Sequence, residues 1–413
     1  MFNFSNISHL FKLVWNRRSA NSLIMIELLA AFLVLFCVCL SLIFFGAMLR
    51  KPLGYEYKDV WTVNLYRKGE LAPISQAERM QTAQNIVAAL RRLPEVESVS
   101  FASILPFGFA HRTTNYGRGD AFRTEILSGT DELPQTLGIT LTQGRWFNES
   151  DDMYNGTTST VKPVIVTELT AARFLGTTDP VGKDITYGTR EGISQEEQRM
   201  RYRIVGIVKE FRTHSEIDQP TPTLFERINL RDTTVWLPEN MLIKMKSGTS
   251  VAFEETLLRT LHGQAPDWTF QISSLEANRA RKNKMYIIPF VLGFTVAFFL
   301  LLMVALGLIG VVWQSVMRRM RELGVRRAFG ATKENIYLFV MGELVALTTF
   351  AVAFGIALIM QVPLLPVYDI PKSIFIGSIA ITILSMYVLV MLCALYPSQI
   401  AARILPSDAL RYE

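Results

Sequence analysis

The chain has 413 residues, half of them hydrophobic, and a net charge of +6. That length and apolar share suit several membrane spans plus a soluble domain of ordinary size, and argue against a purely soluble protein. A basic balance raises nucleic acid as a partner, but such a footprint needs Lys and Arg on a folded basic face with a reading element; the densest cluster here flanks apolar segments instead, so no nucleic acid is expected.

In chain order, residues 1–22 form a short N-terminal segment, expected in the cytoplasm, and residues 23–49 the first apolar stretch, LIMIELLAAFLVLFCVCLSLIFFGAML. At about 1.5 Å per residue it gives about 40 Å of helix, more than the roughly 30 Å hydrocarbon core needs. A cleaved signal peptide is the alternative, but the stretch exceeds the usual apolar core of such peptides and no small-x-small site follows Ala47. Three further spans are predicted over 286–313, 336–360 and 373–396. All three cysteines, Cys37, Cys39 and Cys393, fall in apolar stretches, so the hydrophilic middle has no thiol for a disulfide.

The hydrophilic block 50–285 lies between the first and second spans. SQAERMQTAQNIVAALRRL opens with Ser75 and Glu78 at capping-box spacing, and Met80, Ile86, Val87, Leu90 and Leu93 make a helical stripe. VESVSFASI and YRIVGIVKEF read as strands, while PVIVTELTAARFLG reads as a strand turning into a helix ended by Gly176. The block is therefore mixed α+β, in two subdomains. Its histidines, His111, His214 and His262, are scattered like His9, with no His-x-x-x-His pair and no cysteine near, so ordinary surface or core roles are expected and no metal site. GTTDPVGKD, from Gly176 to Asp184, has five residues between its glycines where a P-loop has four, and Asp184 stands where Ser or Thr should; Pro180 and Gly182 read as turn formers. No G-x-S-x-G elbow occurs either. Neither ATP hydrolysis nor serine-hydrolase chemistry is expected of this chain, and no catalytic residue is assigned.

Between the second and third spans, 314–335 carries RRMRELGVRRAFGATKENI. Val316, Met320 and Leu323 lie at i, i+4 and i+7 with arginines around them, predicting an amphipathic helix capped by Gly330, and Thr332 reads as the N-cap of the third span. A basic helix lying on anionic lipid is the plain alternative. Lys12, Arg17 and Arg18 before the first span, this cluster, and Arg403 and Arg411 after the fourth all point to the cytoplasm, which places both termini inside and 50–285 with the short loop 361–372 outside. Glu27 and Glu343, near the cytoplasmic ends of their spans, suit interfacial or capping roles, and Gly293, Gly307 and Gly310 suit close helix packing.

RRMRELGVRRAFGATKENI and the tail YPSQIAARILPSDALRYE, within 397–413 and its approach, are similar to two ordered motifs of MacB/FtsX-type ABC transporter permeases. LGITLTQGRWFNESDD, VIVTELTAARFLGTTDPVGKDI and YRIVGIVKEF resemble that family's periplasmic core domain. The resemblance implies a multi-pass protein of the bacterial cytoplasmic (inner) membrane with four transmembrane helices and a large periplasmic domain between helices 1 and 2. It implies a dimer with a second permease copy or paralogue, on a separate ATPase subunit that holds ATP and Mg, this chain binding no cofactor. By matching position, Arg319, Arg321, Glu322, Arg326 and Arg327 supply polar contacts of a coupling helix; Met320, Leu323 and Phe329 supply its apolar anchor, and Gly324 and Gly330 shape it. Membrane lipid and a periplasmic adaptor or hydrolase are further partners in the family. Three functions remain open at this stage: export of a drug, peptide, lipid or lipoprotein; regulation of a periplasmic cell-wall hydrolase without a transported substrate; and a membrane receptor or enzyme that uses no ATPase.

Overall fold

The computed structural model describes residues 18–67, 75–116, 122–154, 161–176, 179–186, 201–233, 236–361 and 370–403. The chain divides into two compact units, Met48–Ile287 and a second built from Met1–Ala47 with Ile288–Glu413.

The first unit contains a four-stranded antiparallel sheet and a seven-stranded mixed one. In the smaller sheet the order is β11 (Trp268–Ser274), β1 (Val60–Arg67), β10 (Asn240–Met245), β2 (Val96–Phe101). Helices Gln76–Leu90 and Phe253–Gln264 cover one face, and Val63, Leu65, Phe101, Met241 and Ile243 from the strands meet Met80, Ile86, Leu90, Leu257 and Leu261 from the helices. The predicted capping box is present: the Ser75 hydroxyl accepts from Glu78 N at 3.2 Å, and the Ser75 N–H donates to Glu78 Oε2 at 2.8 Å.

The larger sheet runs β3 (Thr113–Tyr116), β4 (Phe122–Gly129), β9 (Thr223–Arg227), β6 (Val161–Thr167), β8 (Arg201–Val208), β5 (Leu141–Gly144), with β7 (Asp184–Thr186) also on β8. Its central strands are apolar on both faces, as a sheet covered twice requires. Alternate residues divide between two cores. Ile126, Val164, Val166 and Leu224 enter one, while Leu127, Ile165 and Phe225 enter the other, where Val60 and Leu242 of the smaller sheet join them. Arg212, 2% exposed, gathers the loops of this second core: its guanidinium donates to the carbonyls of Met48 at 2.9 Å, Lys51 at 3.2 Å, Asp218 at 2.6 Å and also Glu216.

The stretch TQGRWFNESDD has a local physical explanation. Gly144 sits at φ +74°, and a Cβ there would stand 2.3 Å from the Val205 carbonyl oxygen, so only glycine fits that turn. The next residue, Arg145, then grips Asp151 with two bonds of 2.7 Å, and the Asn148 N–H donates to the same carboxylate at 3.0 Å. Asp184 and Arg203 pair across β7 and β8 at 2.8 Å while Gly182 turns at φ +83°, so GTTDPVGKD is a turn, as expected; residues 177 and 178 lie outside the described set.

In the second unit, four helices are long and apolar enough to cross a membrane among the described residues: Ser22–Leu49, Leu275–Arg318, Lys333–Ile359 and Lys372–Ile400. The second begins well before the predicted boundary at 286: its helix is continuous over 44 residues, about 66 Å at about 1.5 Å per residue, and its first turns pack within the inserted domain, where Arg279 pairs with Glu216 at 2.6 Å. The fourth runs past 396 to Arg403 with Pro397 inside it. Residues 362–369 of the short loop, and 404–413 of the tail, lie outside the described set. Ile24, Leu28, Phe32, Leu308, Val312, Leu344 and Leu347 form the shared core of this unit. Gly307 is a packing glycine as expected, since a Cβ on it would stand 2.8 Å from Glu27 Oε1, whereas Gly293 and Gly310 face open space. The closest approach is at Gly355, where a Cβ would meet the Phe32 ring at 2.3 Å.

Burial raises the Asp151 carboxyl, but the Arg145 side chain and the Asn148 N–H outweigh it and hold its pKa below the ordinary 3.8. The folded pKa being depressed, the stability this group contributes is fully present above 3.8 and is lost as pH falls through its lower folded value. Acid unfolding followed by circular dichroism is expected to show this loss in the native protein and not in Asp151→Asn, which starts less stable at neutral pH.

Candidate functional site: the basic helix between the second and third spans

The second span's helix ends at Arg318, and a separate helix, Met320–Ala328, follows after a break at Arg319, whose φ of −111° and ψ of 14° are not helical. The expectation of one amphipathic helix continuing from Val316 through Leu323 is thus corrected: a bend at Arg319 separates the two. The new helix closes with both bonds of a Schellman turn, Gly330 N to Arg327 O at 3.0 Å and Ala331 N to Arg326 O at 3.1 Å, with Gly330 at φ +95°. Thr332 then caps the third span, its hydroxyl accepting from Asn335 N at 3.2 Å. Two caps back to back make the connection from helix to span only a few residues long.

The side chains divide differently from the sequence expectation. Leu323 is buried with Val316, Ile336 and Val340 in the membrane unit, and Gly324 beside it is buried too. Leu323 is therefore an internal anchor, not part of a partner-facing stripe. Phe329 is 88% exposed. Met320, Glu322 and Arg327 are half-buried, while Arg318, Arg321 and Arg326 are exposed. Arg326 donates to Glu322 at 2.9 Å one turn away and lies over the Phe339 ring at 4.2 Å, so this pair also supports the helix itself.

Arg319 makes the strongest polar contact here. Its Nη1 donates to both oxygens of Glu343 at 2.8 and 2.6 Å, with the two side chains only 17% and 11% exposed. They meet beside a small cavity lined by Ile24, Val316, Leu323, Val340 and Leu347. Glu343, expected in an interfacial or capping role, is instead the internal counter-charge of the bend, and Arg319 is turned away from any partner. The sequence signal for this pair is faint: one acid inside a span and one arginine at the preceding boundary, 24 residues apart.

Among the histidines, His262 packs edge-on against Phe270 at 5.1 Å, and His9 lies outside the described residues. His111 and His214 are not scattered: strand pairing brings their ring centroids to 3.9 Å.

The described geometry, four spans with a two-sheet α+β insertion after the first and a basic helix after the second, coincides with two family models. The model of the MacB-like periplasmic core domain matches residues 28–261, and that of the FtsX-like permease C-terminal region matches 294–406. The chain belongs to the MacB/FtsX-type ABC permease family. It is 24% identical over 304 residues to the pyoverdine export ATP-binding/permease protein PvdT of Pseudomonas savastanoi pv. phaseolicola, covering 71% of this chain and 42% of that one. It is also 24% identical over 364 residues to the macrolide export ATP-binding/permease protein MacB of Pasteurella multocida, covering 82% and 50%. The chain thus spans about half the length of the curated relatives it matches. The periplasmic region of MacB from Actinobacillus actinomycetemcomitans aligns with 56% of this chain and 95% of its own length, at 13% identity and a TM-score of 0.36. Family membership and the four apolar helices make this chain a multi-pass membrane permease.

Removing one partner of a buried ion pair costs about 3 to 5 kcal/mol because the other charge is left uncompensated. Arg319→Ala is expected to destabilise the detergent-solubilised protein by that order, read as a lowered thermal midpoint, and the exchange Arg319→Glu with Glu343→Arg to restore much of it.

Proposed function

We propose that this permease couples ATP hydrolysis on an ATPase subunit to movement of its inserted domain, driving export or extraction of a periplasmic or membrane-derived substrate. The observation that carries the reading is the surface of the helix Met320–Ala328: it carries the exposed Arg321 and Arg326, is followed at once by Phe329, 88% exposed, and is anchored inward by Leu323 and Arg319. A large aromatic with arginines around it is the composition of an interface anchor. On this reading Phe329 and Arg321 enter the ATPase, Arg326, Glu322, Arg327, Met320 and Gly330 shape the contact, and Arg319, Leu323 and Gly324 hold the helix in place.

Nucleotide acts on the permease to the extent that the ATPase pair fits one arrangement of its coupling helices better than another. The helices Arg18–Leu49 and Leu275–Arg318 each have residues in both units, and the last residue of the second adjoins the bend; these two long spans pass the bias on. ATP and Mg belong to the ATPase and this chain contributes no catalytic group. A second permease copy or a paralogue completes the assembly, and a periplasmic adaptor accompanies it. Relatives named for export of pyoverdine and of macrolides support export as the output. The basic residues flanking the spans support an orientation with both termini in the cytoplasm and the inserted domain outside the inner membrane.

Two outcomes are expected. Phe329→Ala, which removes an exposed side chain and leaves the core intact, weakens ATPase association by about 2 kcal/mol, roughly 30-fold, read by co-purification and by ATPase activity of the eluate. Unchanged association would remove the coupling assignment. Cysteine placed in the exposed turn at Ser247 is labelled by an impermeant thiol reagent in intact spheroplasts; labelling only after lysis would reverse the topology.

A further inference from the structure

Outside the basic helix, the inserted domain holds a cluster that the permease function does not use. His111 lies just before β3, Glu125 on β4, and His214 on the connection from β8 to β9. One ligand atom from each falls within 4.8 Å of the others. His214 Nε2 stands 2.6 Å, and His111 Nδ1 4.0 Å, from the same carboxylate oxygen, Oε1 of Glu125.

The carboxylate is unusual in its setting. The Glu125 side chain is 3% exposed, and Oε1 accepts no well-formed hydrogen bond despite the imidazole beside it. Its other oxygen has a long contact of 3.5 Å from the Thr221 hydroxyl. A buried carboxylate left in this state costs free energy unless something compensates it. A divalent cation accepting lone pairs from all three side chains does so.

We propose that His111, Glu125 and His214 form a binding site for a divalent cation of the zinc class. Two imidazoles and one carboxylate are borderline ligands, suited to zinc and to the later first-row metals more than to calcium or magnesium, which take mostly oxygen. Zinc holds nitrogen and oxygen at about 2.0 to 2.2 Å, which sets tetrahedral ligand atoms roughly 3.3 Å apart. Two of the three separations, 2.6 and 4.0 Å, bracket that spacing, and all three ligand atoms already lie within 4.8 Å of one another.

The backbone around each ligand is already fixed. Ile126 N donates to Arg112 O, Glu125 N to Pro222 O, and Phe107 N to Thr213 O, each at 2.8 Å, and these bonds tie together the three segments that carry the ligands. His111 is half-exposed while Glu125 and His214 are inside, so one side of the site faces solvent and leaves a fourth position for water or an exogenous group. Lys282 and Arg123 lie near enough to act on His111. Their charge disfavours weakly held cations and so narrows the site to metals with strong nitrogen affinity.

The test uses the full-length protein in detergent, without a polyhistidine tag and stripped with chelator. Isothermal titration with Zn²⁺ and visible absorption with Co²⁺ are each expected to show one saturable equivalent per chain, cobalt giving the intense bands of a tetrahedral site. His111→Ala, at a solvent-facing position that preserves the core, is expected to lower zinc affinity at least about 10-fold and to abolish the cobalt bands, with circular dichroism unchanged. Zn²⁺ is also expected to raise the thermal midpoint of the native protein and not that of His111→Ala. Absence of saturable binding in the native protein would overturn the site, as would equal affinity in the native and His111→Ala proteins. A fall in stability on His111→Ala that zinc does not influence would assign the trio to structural hydrogen bonding instead.

Discussion

Hydrocarbon offers a peptide group no hydrogen-bond partner, and that constraint organises this chain. Each crossing must close its own backbone bonds, which only a helix of some twenty residues does, and the four long apolar helices satisfy it. The same constraint governs charges. Where the second span's helix breaks at Arg319, the guanidinium lies against the third span, and Glu343 is the anion that meets it at 2.6 Å. Alone, each would be a costly group in an apolar setting; together they determine the direction in which the next helix leaves. Leu323 is thereby turned into the core of the membrane unit, and Phe329 is left outside.

The inserted domain solves a different problem, since water surrounds it and a core has to be made from sheet faces. Its larger sheet buries β6 and β8 on both sides, so neighbouring residues such as Val164 and Ile165 serve separate cores. Loops beside this sheet are held by charged groups that make several hydrogen bonds each. Arg212 donates from both terminal nitrogens to carbonyls of two segments, Met48 with Lys51 and Glu216 with Asp218, and Asp151 takes both arms of Arg145 plus one N–H. Gly144 permits the second arrangement, because its left-handed turn against Val205 brings Arg145 over the carboxylate. A motif that reads in sequence as polar filler is thus a specific turn.

Features set by neighbours in the chain were legible. The capping box at Ser75, the glycine ends at Gly176 and Gly330, the Thr332 cap, and the strands β2, β6 and β8 all appear where short-range patterns place them. The basic helix was legible as an element, but its inward face was not. Over nine residues an apolar stripe is short, and the bend at Arg319 turns the helix so that Leu323 and Phe329 point to different surroundings. The Arg319 to Glu343 pair and the approach of Phe32 to Gly355 join residues far apart in the chain, and no local pattern marks either.

The sequence by itself therefore determined the four spans, the α+β insertion, the caps and the family, because each follows from composition, period or a contiguous motif. Tertiary structure alone decided which arginine of the basic stretch is spent internally and which aromatic is displayed. It likewise decided that two histidines about a hundred residues apart converge on one buried carboxylate. Helix packing and strand pairing choose partners by shape and by the need to satisfy buried charge, and those demands exist only once the chain has brought distant segments together.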